Sequence, residues 1–163
     1  MNSGMNAATE RSQEWETPKW LFDQLNDEFK FTVDAAATAA NTKLPRFWTE
    51  AEDGLAQSWL GERVFVNPPY NEIAAWAGKA SFYTAALVVM IAPVFTDQRW
   101  FHTCCKLSNA EVRLIRGRVR FEIDGKPAGS PRFPSMVVIW RPIHWLQPMA
   151  PKVTRKQKSI VKE

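Results

Sequence analysis

The sequence predicts a single compact domain of the α/β class with a mostly parallel sheet. Short runs rich in β-branched and aromatic residues alternate along the chain with segments whose apolar residues recur at helical spacing. One run, ALVVMIAPV, is almost entirely apolar, which is typical of a strand covered on both faces. In open α/β folds, ligands bind at the carboxyl ends of the parallel strands.

The first half of the chain begins with a helix in TPKWLFDQLNDEF. Thr17 is a suitable N-cap and Pro18 suits the first helical position, while later apolar residues recur every three or four positions. The short strand KFTVDAAA stops at Asp34 and is followed by a loop or short helix, ATAANTKLPRFW, and an acidic segment, TEAEDGLAQSW. A second strand, RVFVNPP, then leads into the helix NEIAAWAGKASFY.

The second half continues the alternation after the apolar strand. DQRWFHTCCKLS has helical character, and EVRLIRGRVRFE alternates like a pair of strands. DGKPAGSPRFP is expected to be a turn or mobile loop, and SMVVIWRP a final strand. We therefore expect a disordered lead-in over residues 1–13, one domain over 14–148 and a basic tail over 149–163.

Composition and charge permit some classes of protein function and argue against others. The 163 residues carry a net charge of +4, which permits a polyanionic partner without requiring one. Cys104 and Cys105 are adjacent, a spacing that suits neither an ordinary disulfide nor a zinc site, so we expect reduced thiols in the cytoplasm and no metal. No apolar run reaches the length of a membrane span, and the N-terminus lacks a signal-peptide pattern.

The four residues Asn67, Pro68, Pro69 and Tyr70 directly follow the second strand. The two prolines stop the sheet ladder and stiffen the backbone, because they lack an amide hydrogen and have φ near −65°. The Asn67 side-chain oxygen and the Pro68 carbonyl are two neighbouring acceptors that together suit an amino group. Tyr70 offers a ring on which a base can stack. This Asn-Pro-Pro-Tyr segment therefore suits an extruded adenine or cytosine.

The chain resembles the small phage and prophage DNA adenine methyltransferases of the Dam-like family from about Glu14 to Pro142. Asn-Pro-Pro-Tyr after a strand is the catalytic motif of amino-methyltransferases. The resemblance is also carried by EWETPKWLFDQLNDEF, FTVDAAATAANTKLPRFWTEAEDGLAQSW, VFVNPPY, APVFTDQRWFH and VRLIRGRVRFE. It implies a Rossmann-like S-adenosylmethionine-dependent methyltransferase fold. It also implies that the target base is flipped into the site, where Asn67 and Pro68 accept hydrogen bonds from its exocyclic amine.

The resemblance also directs attention to the S-adenosylmethionine site. Thr17 and Pro18 match the segment that approaches the methionine end of the cofactor, and Asp34 stands where such folds place a polar contact. Asp53 is a candidate to accept hydrogen bonds from the ribose hydroxyls or the adenine amine of the cofactor, ahead of Glu50 and Glu52, although acidic clusters are more often solvated surface. Trp15 and Trp48 are candidate apolar walls, which core packing explains equally well. The segment DAAATA lacks the glycines of the common cofactor loop.

Basic residues indicate how double-stranded DNA would be held. Arg116, Arg118 and Arg120 fall on one face if the strand continues, with Val119 and Phe121 on the other; an exposed basic strand face is the alternative explanation. The six candidate DNA contacts are Arg99, Arg116, Arg118, Arg120, Lys126 and Arg132.

The function we predict is methylation of adenine N6 in a short DNA site, with GATC as the first sequence to test, by a monomer or weak dimer in the cytoplasm of a bacterial host. Three alternatives remain open: cytosine N4 methylation, methylation of a protein glutamine amide, and a nucleic-acid-binding module that has lost its cofactor. Cofactor affinity separates the last from the others.

Overall fold

The computed structural model describes residues 15–82 and 84–142. The predicted lead-in and basic tail therefore lie outside the described residues. The helices are α1 (Lys19–Phe29) and α2 (Ile73–Ser81), with a 3-10 turn at Tyr70–Glu72 and a π-helix at Phe101–Lys106. The strands are β1 (Val33–Asp34), β2 (Arg63–Val66), β3 (Leu87–Pro93), β4 (Glu111–Leu114), β5 (Phe121–Ile123), β6 (Lys126–Gly129) and β7 (Ser135–Trp140).

A five-stranded mixed sheet has the order β1-β2-β3-β7-β4. The β1–β2 and β2–β3 pairings are parallel, whereas β7 pairs antiparallel with both β3 and β4 over more residues. The α/β class is thus confirmed, but the prediction of a mostly parallel sheet is wrong. Side-chain patterns do not reveal strand direction: β7 is buried along its whole length like a parallel strand because its side chains alternate between the cores on the two faces of the sheet.

The position of β7 between β3 and β4 determines which strand ends lie at one edge of the sheet. Because β4 and β3 are both antiparallel to β7, β4 runs in the same direction as β3. The carboxyl ends of β1 to β4 therefore lie at one edge, and β7 begins there with Ser135 opposite Pro93. The segments that follow Asp34, Val66, Pro93 and Leu114 all leave from this edge.

Both faces of the sheet are covered, as the apolar character of β3 predicts. Leu21, Phe22, Leu25 and Phe29 of α1 pack on one face, in a cluster that includes Phe65. Ile73, Trp76 and Ala77 of α2 pack on the other face with Val64 and Val66. Because the side chains of β2 are packed into both cores, the strand is held in place. The position of Asn67, which directly follows β2, is therefore fixed as well. Within the described residues, no helix is long and apolar enough to cross a membrane.

The first helix begins one residue later than the capping pattern predicts. Pro18, rather than Thr17, is the N-cap residue, and its carbonyl accepts hydrogen bonds from the backbone amides of Leu21 and Phe22. No side-chain cap is formed. Thr17 is instead 5% exposed, because the preceding segment folds against the rest of the domain. The capping prediction for Thr17 and the first-position prediction for Pro18 are both wrong by this shift.

The segment from Glu111 to Gly129 also differs from the sequence prediction. β4 and β5 do not pair with each other: β4 joins the main sheet, and β5 forms a separate antiparallel hairpin with β6. The predicted mobile loop thus contains the strand β6, whose residues are all exposed. A strand with neither face buried has no hydrophobic pattern by which the sequence could reveal it.

Candidate active site

The Asn-Pro-Pro-Tyr segment, residues 67–70, leaves the carboxyl end of β2 as a stiff turn. The Pro69 carbonyl accepts a hydrogen bond of 3.0 Å from the Glu72 amide and starts the 3-10 turn that leads into α2. The Pro68 carbonyl accepts no hydrogen bond from the described part of the chain. The backbone therefore leaves one carbonyl acceptor available beside Asn67, as the sequence predicts.

The Asn67 side chain is held by a contact from far along the sequence. Its Nδ2 donates a hydrogen bond of 3.1 Å to the carbonyl oxygen of Trp15. Within the described residues, Asn67 Oδ1 receives no hydrogen bond. An amide anchored through its donor has its acceptor oriented in advance, so the Trp15 carbonyl aligns Asn67 for accepting a hydrogen from a ligand.

Tyr70 is partly buried, with its hydroxyl directed into the domain. Its hydroxyl is buried and faces that of buried Ser135, yet neither group makes a well-formed hydrogen bond in the described structure. Burial raises the pKa of Tyr70 to about 12, and the Ser135 hydroxyl only partly offsets this. The Tyr70 and Trp15 rings are almost perpendicular, with 6.2 Å between their centroids. Its stacking on a base stays a prediction.

A cavity of about 780 Å³ opens beside this segment at the carboxyl ends of β1 and β2. Its volume falls within the range of roughly 300–1,000 Å³ that is typical of small-molecule sites. The structure brings eight candidate site residues to its wall: Trp15, Thr17, Asp34, Trp48, Glu50, Asp53, Asn67 and Pro69. Four others, Pro18, Glu52, Pro68 and Tyr70, are not among the lining residues.

Asp34 is the buried carboxyl group of this cavity. It ends β1, is 4% exposed, and receives a long hydrogen bond of 3.4 Å from the Ala36 amide. Burial raises the pKa of Asp34 to about 6, although backbone hydrogen bonds and the charge of Lys43 favour its ionised form. The predicted polar contact is therefore a carboxyl group that titrates near neutrality.

The segment after Asp34 is rich in alanine, and the glycine that packs against it comes from another segment. Ala35, Ala36 and Ala37 line the cavity together with Gly54. A Cβ on Gly54 would lie 2.1 Å from the Ala35 carbonyl oxygen and 3.0 Å from the Trp76 ring. The close backbone approach thus depends on Gly54, which is nineteen positions from Ala35 and belongs to no local glycine motif.

The acidic residues before β2 have two different structural roles, one at the cavity wall and one in a local turn. Glu50 and Asp53 are exposed side chains at the cavity wall. Glu52 is not among the lining residues and accepts hydrogen bonds from the Thr49 amide and hydroxyl. Trp48 lines the cavity and also belongs to the core, so both explanations of this residue apply. This placement favours Asp53 over Glu52 but does not separate Asp53 from Glu50, so the preference for Asp53 over Glu50 stays a prediction.

Charge is divided between the cavity and the surface around it. Among the described lining residues, five are acidic and Lys43 is the one base; the acidic ones are Glu16, Asp34, Glu50, Asp53 and Glu72. The six predicted DNA contacts are all exposed, and none is among the residues lining the cavity. The cavity therefore suits a cationic ligand, and the basic side chains outside it suit an anionic one.

The predicted basic row is exposed although no strand carries it. β4 ends at Leu114, and Gly117 has φ +82°, a left-handed conformation that suits glycine. Arg116, Arg118 and Arg120 are exposed, whereas Val119 and Phe121 are buried at 1% and 0%. The inward and outward assignment is thus confirmed. Arg118 is partly engaged, since its guanidinium donates to the carbonyls of Pro131 and Arg132.

A family model described as DNA N-6-adenine-methyltransferase (Dam) matches residues 4–162 of this chain. The chain belongs to this family.

Two phage relatives agree with this assignment. The DNA N-6-adenine-methyltransferase of Haemophilus phage HP1 is 29% identical over 135 residues, which cover 78% of each chain. The DNA N-6-adenine-methyltransferase of Escherichia phage T1 is 27% identical over 115 residues, which cover 68% of this chain and 48% of the relative. The Dam-like resemblance is confirmed, and the predicted adenine-specific DNA methyltransferase class is confirmed at the level of the family.

Sequence reasoning missed several residues of the cavity in this Dam-family chain. Glu16, Lys43 and Glu72 line it, as do Gly54 and Trp76. The position of Glu16 between Trp15 and Thr17 is a signal that could have identified it. Lys43 and Gly54 reach the cavity only through the path of the 35–59 segment, for which the sequence shows no periodicity. No group of three or more potential metal ligands is placed together within the described residues.

Proposed function

We propose that this Dam-family chain transfers a methyl group from S-adenosylmethionine to N6 of adenine in DNA. The observation that carries the proposal is the anchored amide of Asn67 at the mouth of an acidic cavity. The mixed α/β sheet with its cavity at the carboxyl edge supports the Rossmann-like methyltransferase fold that the resemblance implies. Membership of the Dam family favours adenine over cytosine as the target base.

Asn67 and Pro68 are the proposed acceptors for the two hydrogens of the adenine amine. Asn67 Oδ1 is oriented by the bond from Nδ2 to Trp15, and the Pro68 carbonyl is unengaged in the described structure. Hydrogen bonds from both amine hydrogens favour a pyramidal nitrogen with its lone pair available for attack. Both acceptors are held before substrate arrives, so little reorganisation is needed as charge develops on the nitrogen.

Adenine inside a duplex cannot reach this position, so the target nucleotide must be flipped out of the base stack. We propose that Tyr70 supplies a ring for the flipped base. With its pKa raised to about 12, Tyr70 is neutral at working pH and acts through its ring rather than as a base. Trp15, whose ring lies edge-on to that of Tyr70, helps to hold that ring in place.

The cavity fits S-adenosylmethionine in charge, size and lining. When bound, this cofactor supplies an activated methyl group on a positively charged sulfur. Asp34 and Asp53 would hold the polar groups of the cofactor, with Thr17 near its methionine end, and Trp15 and Trp48 would contact its apolar parts. Five carboxyl groups in the wall favour a cationic ligand and disfavour entry of DNA phosphates.

DNA would lie across the carboxyl edge of the sheet. Arg99 follows β3, the Arg116–Arg120 row follows β4, Lys126 lies in β6, and Arg132 precedes β7. The topology supports a basic surface on the side of the sheet edge where the cavity lies, on which phosphates would position the duplex. We propose double-stranded DNA as the substrate and GATC as the first recognition sequence to test.

The test is methyl transfer from labelled S-adenosylmethionine to unmethylated plasmid DNA, with nucleosides identified by mass after digestion. We expect label in N6-methyladenine and a loss of at least about 100-fold in the Asn67→Ala variant, the scale of removing one oriented polar group. Asn109→Gly is the control, because Asn109 is exposed, has φ +55° and precedes β4 at the opposite edge. Label in N4-methylcytosine would correct the base. Absence of both label and cofactor binding would overturn the proposal.

A further inference from the structure

Trp15 and Glu16 connect the β5–β6 hairpin to the rest of the molecule. The Glu16 amide donates to the Glu122 carbonyl at 2.8 Å, and the Glu122 amide donates to the Glu16 carbonyl at 3.0 Å. This antiparallel bridge adds a third segment beside the hairpin. A two-stranded hairpin is marginally stable in water, so these attachments help determine where it lies.

The Glu16 side chain extends this connection into the cavity. Glu16 is 8% exposed, and its Oε1 accepts a hydrogen bond of 2.9 Å from the Asp124 amide in the hairpin turn. Its Oε2 lies 3.4 Å from Lys43 Nζ, and both residues line the cavity. One buried carboxylate therefore contacts the hairpin turn and a charged cavity residue at once.

Trp15 makes the corresponding connection to the Asn-Pro-Pro-Tyr segment. Its ring stacks on Phe121 of β5 with centroids 5.4 Å apart and planes within 11°. Its carbonyl oxygen accepts a hydrogen bond from Asn67 Nδ2, and its ring packs almost perpendicular to that of Tyr70. Movement of β5 would displace the group that orients the proposed catalytic amide.

We propose that Trp15 and Glu16 are positioning residues that couple DNA contact on the β5–β6 hairpin to Asn67 and to the cofactor cavity. The inference rests on the proposed function, because it takes Asn67 as the acceptor and Lys126 of β6 as a DNA contact. DNA that engages the hairpin stabilises the Trp15–Glu16 segment in the position that aligns Asn67 and completes the cavity wall. Binding of DNA and binding of cofactor therefore strengthen each other by the same factor.

The experiment measures this factor directly with S-adenosylhomocysteine, which cannot donate a methyl group. Its dissociation constant is determined by calorimetry on the full chain, without DNA and with a saturating GATC-containing duplex. We expect DNA to tighten S-adenosylhomocysteine binding at least about fivefold, the lower end of common coupling factors. The reciprocal measurement, duplex affinity with and without S-adenosylhomocysteine, must give the same ratio.

Two variants of Glu16 separate coupling from simple support of the fold. Glu16→Gln retains an oxygen that can accept from the Asp124 amide, so we expect the coupling ratio to stay within about twofold of the unmodified protein. Glu16→Ala removes the acceptor, so we expect the ratio to fall to about one. A merely structural role would lower both affinities and leave their ratio unchanged.

Phe121→Leu tests the Trp15 side of the connection and has a matched control. The substitution removes the stacked ring but keeps an apolar side chain, and we expect it to reduce the ratio. Phe31→Leu changes a phenylalanine in the same core cluster that packs against Phe22 and Phe65 instead, so the ratio should persist. Separate binding of both ligands with a ratio of one in the unmodified protein would overturn the coupling alone. No S-adenosylhomocysteine binding would overturn the proposed function as well.

Discussion

At the scale of one residue, burial beside the cavity changes the pKa of the Asp34 carboxyl group. Its ordinary pKa is 3.8, and burial raises it to about 6 in the folded chain. The folded state therefore holds the Asp34 proton more tightly than the unfolded state does. The stability associated with this proton is fully present below about pH 4 and is lost as the pH rises through about 6.

Asp34→Asn should remove this pH dependence while keeping the shape of the side chain. Between pH 4 and pH 8, the unmodified protein should lose about 2 kcal/mol of unfolding free energy relative to the variant, since each pKa unit corresponds to about 1.4 kcal/mol and the unfolded-state carboxyl is already partly ionised at pH 4. Urea unfolding without cofactor at several pH values measures the difference. If the difference in unfolding free energy between the two proteins stays constant over this pH range, the pKa of Asp34 is not raised in the folded state.

Substitution of glycine by alanine should change the free energy of unfolding in opposite directions at Gly54 and at Gly78. Gly54→Ala would place a Cβ against the Ala35 carbonyl, so we expect a loss of about 3 kcal/mol, within the range for overpacking, and weaker cofactor binding. Gly78 lies within α2, where a Cβ would meet no neighbouring atom within 4 Å, so Gly78→Ala should gain about 0.5–1 kcal/mol. Urea midpoints measure both, and a Gly54→Ala variant as stable as the unmodified chain would refute the close contact.

At the scale of the element, neighbouring arginines differ in role: one within β4 stabilises the fold, and those after β4 are exposed to solvent. Arg113 in β4 forms ion pairs with Glu28 and Glu111 at 2.7 and 2.6 Å, and its side chain is only 9% exposed. Its guanidinium also lies over the Phe29 ring of α1. Arg116, two residues beyond the end of β4, is exposed and makes no ion pair within the described residues.

We therefore expect different consequences from two arginine substitutions. Arg113→Ala should lower the unfolding free energy by about 1–3 kcal/mol, the cost of losing charged hydrogen bonds, without changing the salt dependence of DNA binding. Arg116→Ala should leave stability almost unchanged and reduce the salt slope of DNA affinity by about one, as loss of one phosphate contact does. Titrations at several salt concentrations, beside urea unfolding, measure both. The assignments would be wrong if the two variants exchanged these effects.

The accuracy of the sequence predictions varies among elements for identifiable reasons. β3 is a continuous apolar run and α1 has apolar residues at helical spacing, and both elements appear where these patterns place them, within two residues. β1 contains only two residues, and β6 has no buried face, so neither has a pattern long or apolar enough to define its bounds. The helical segment before β4 is a π-helix at Phe101–Lys106, a geometry that apolar spacing does not distinguish from an α-helix.

At the scale of the whole molecule, the domain separates two kinds of charge around one sheet edge. Carboxyl groups line the cavity, and exposed basic residues follow the strands that end beside it. This arrangement accounts for a mildly basic chain having a site suited to a cationic cofactor, since the net charge of +4 averages over both regions. Composition alone could not have shown this division.

The sequence by itself determined the α/β class, the two covered faces of the sheet, the position of Asn67 at a strand end and the family resemblance. These features depend on local periodicity and on short contiguous motifs. The tertiary structure alone decided that β7 enters the sheet antiparallel, that Gly54 approaches Ala35, and that the Trp15 carbonyl anchors Asn67. Each of these joins residues that are distant along the chain, and such contacts depend on how separate elements pack, which local patterns do not encode.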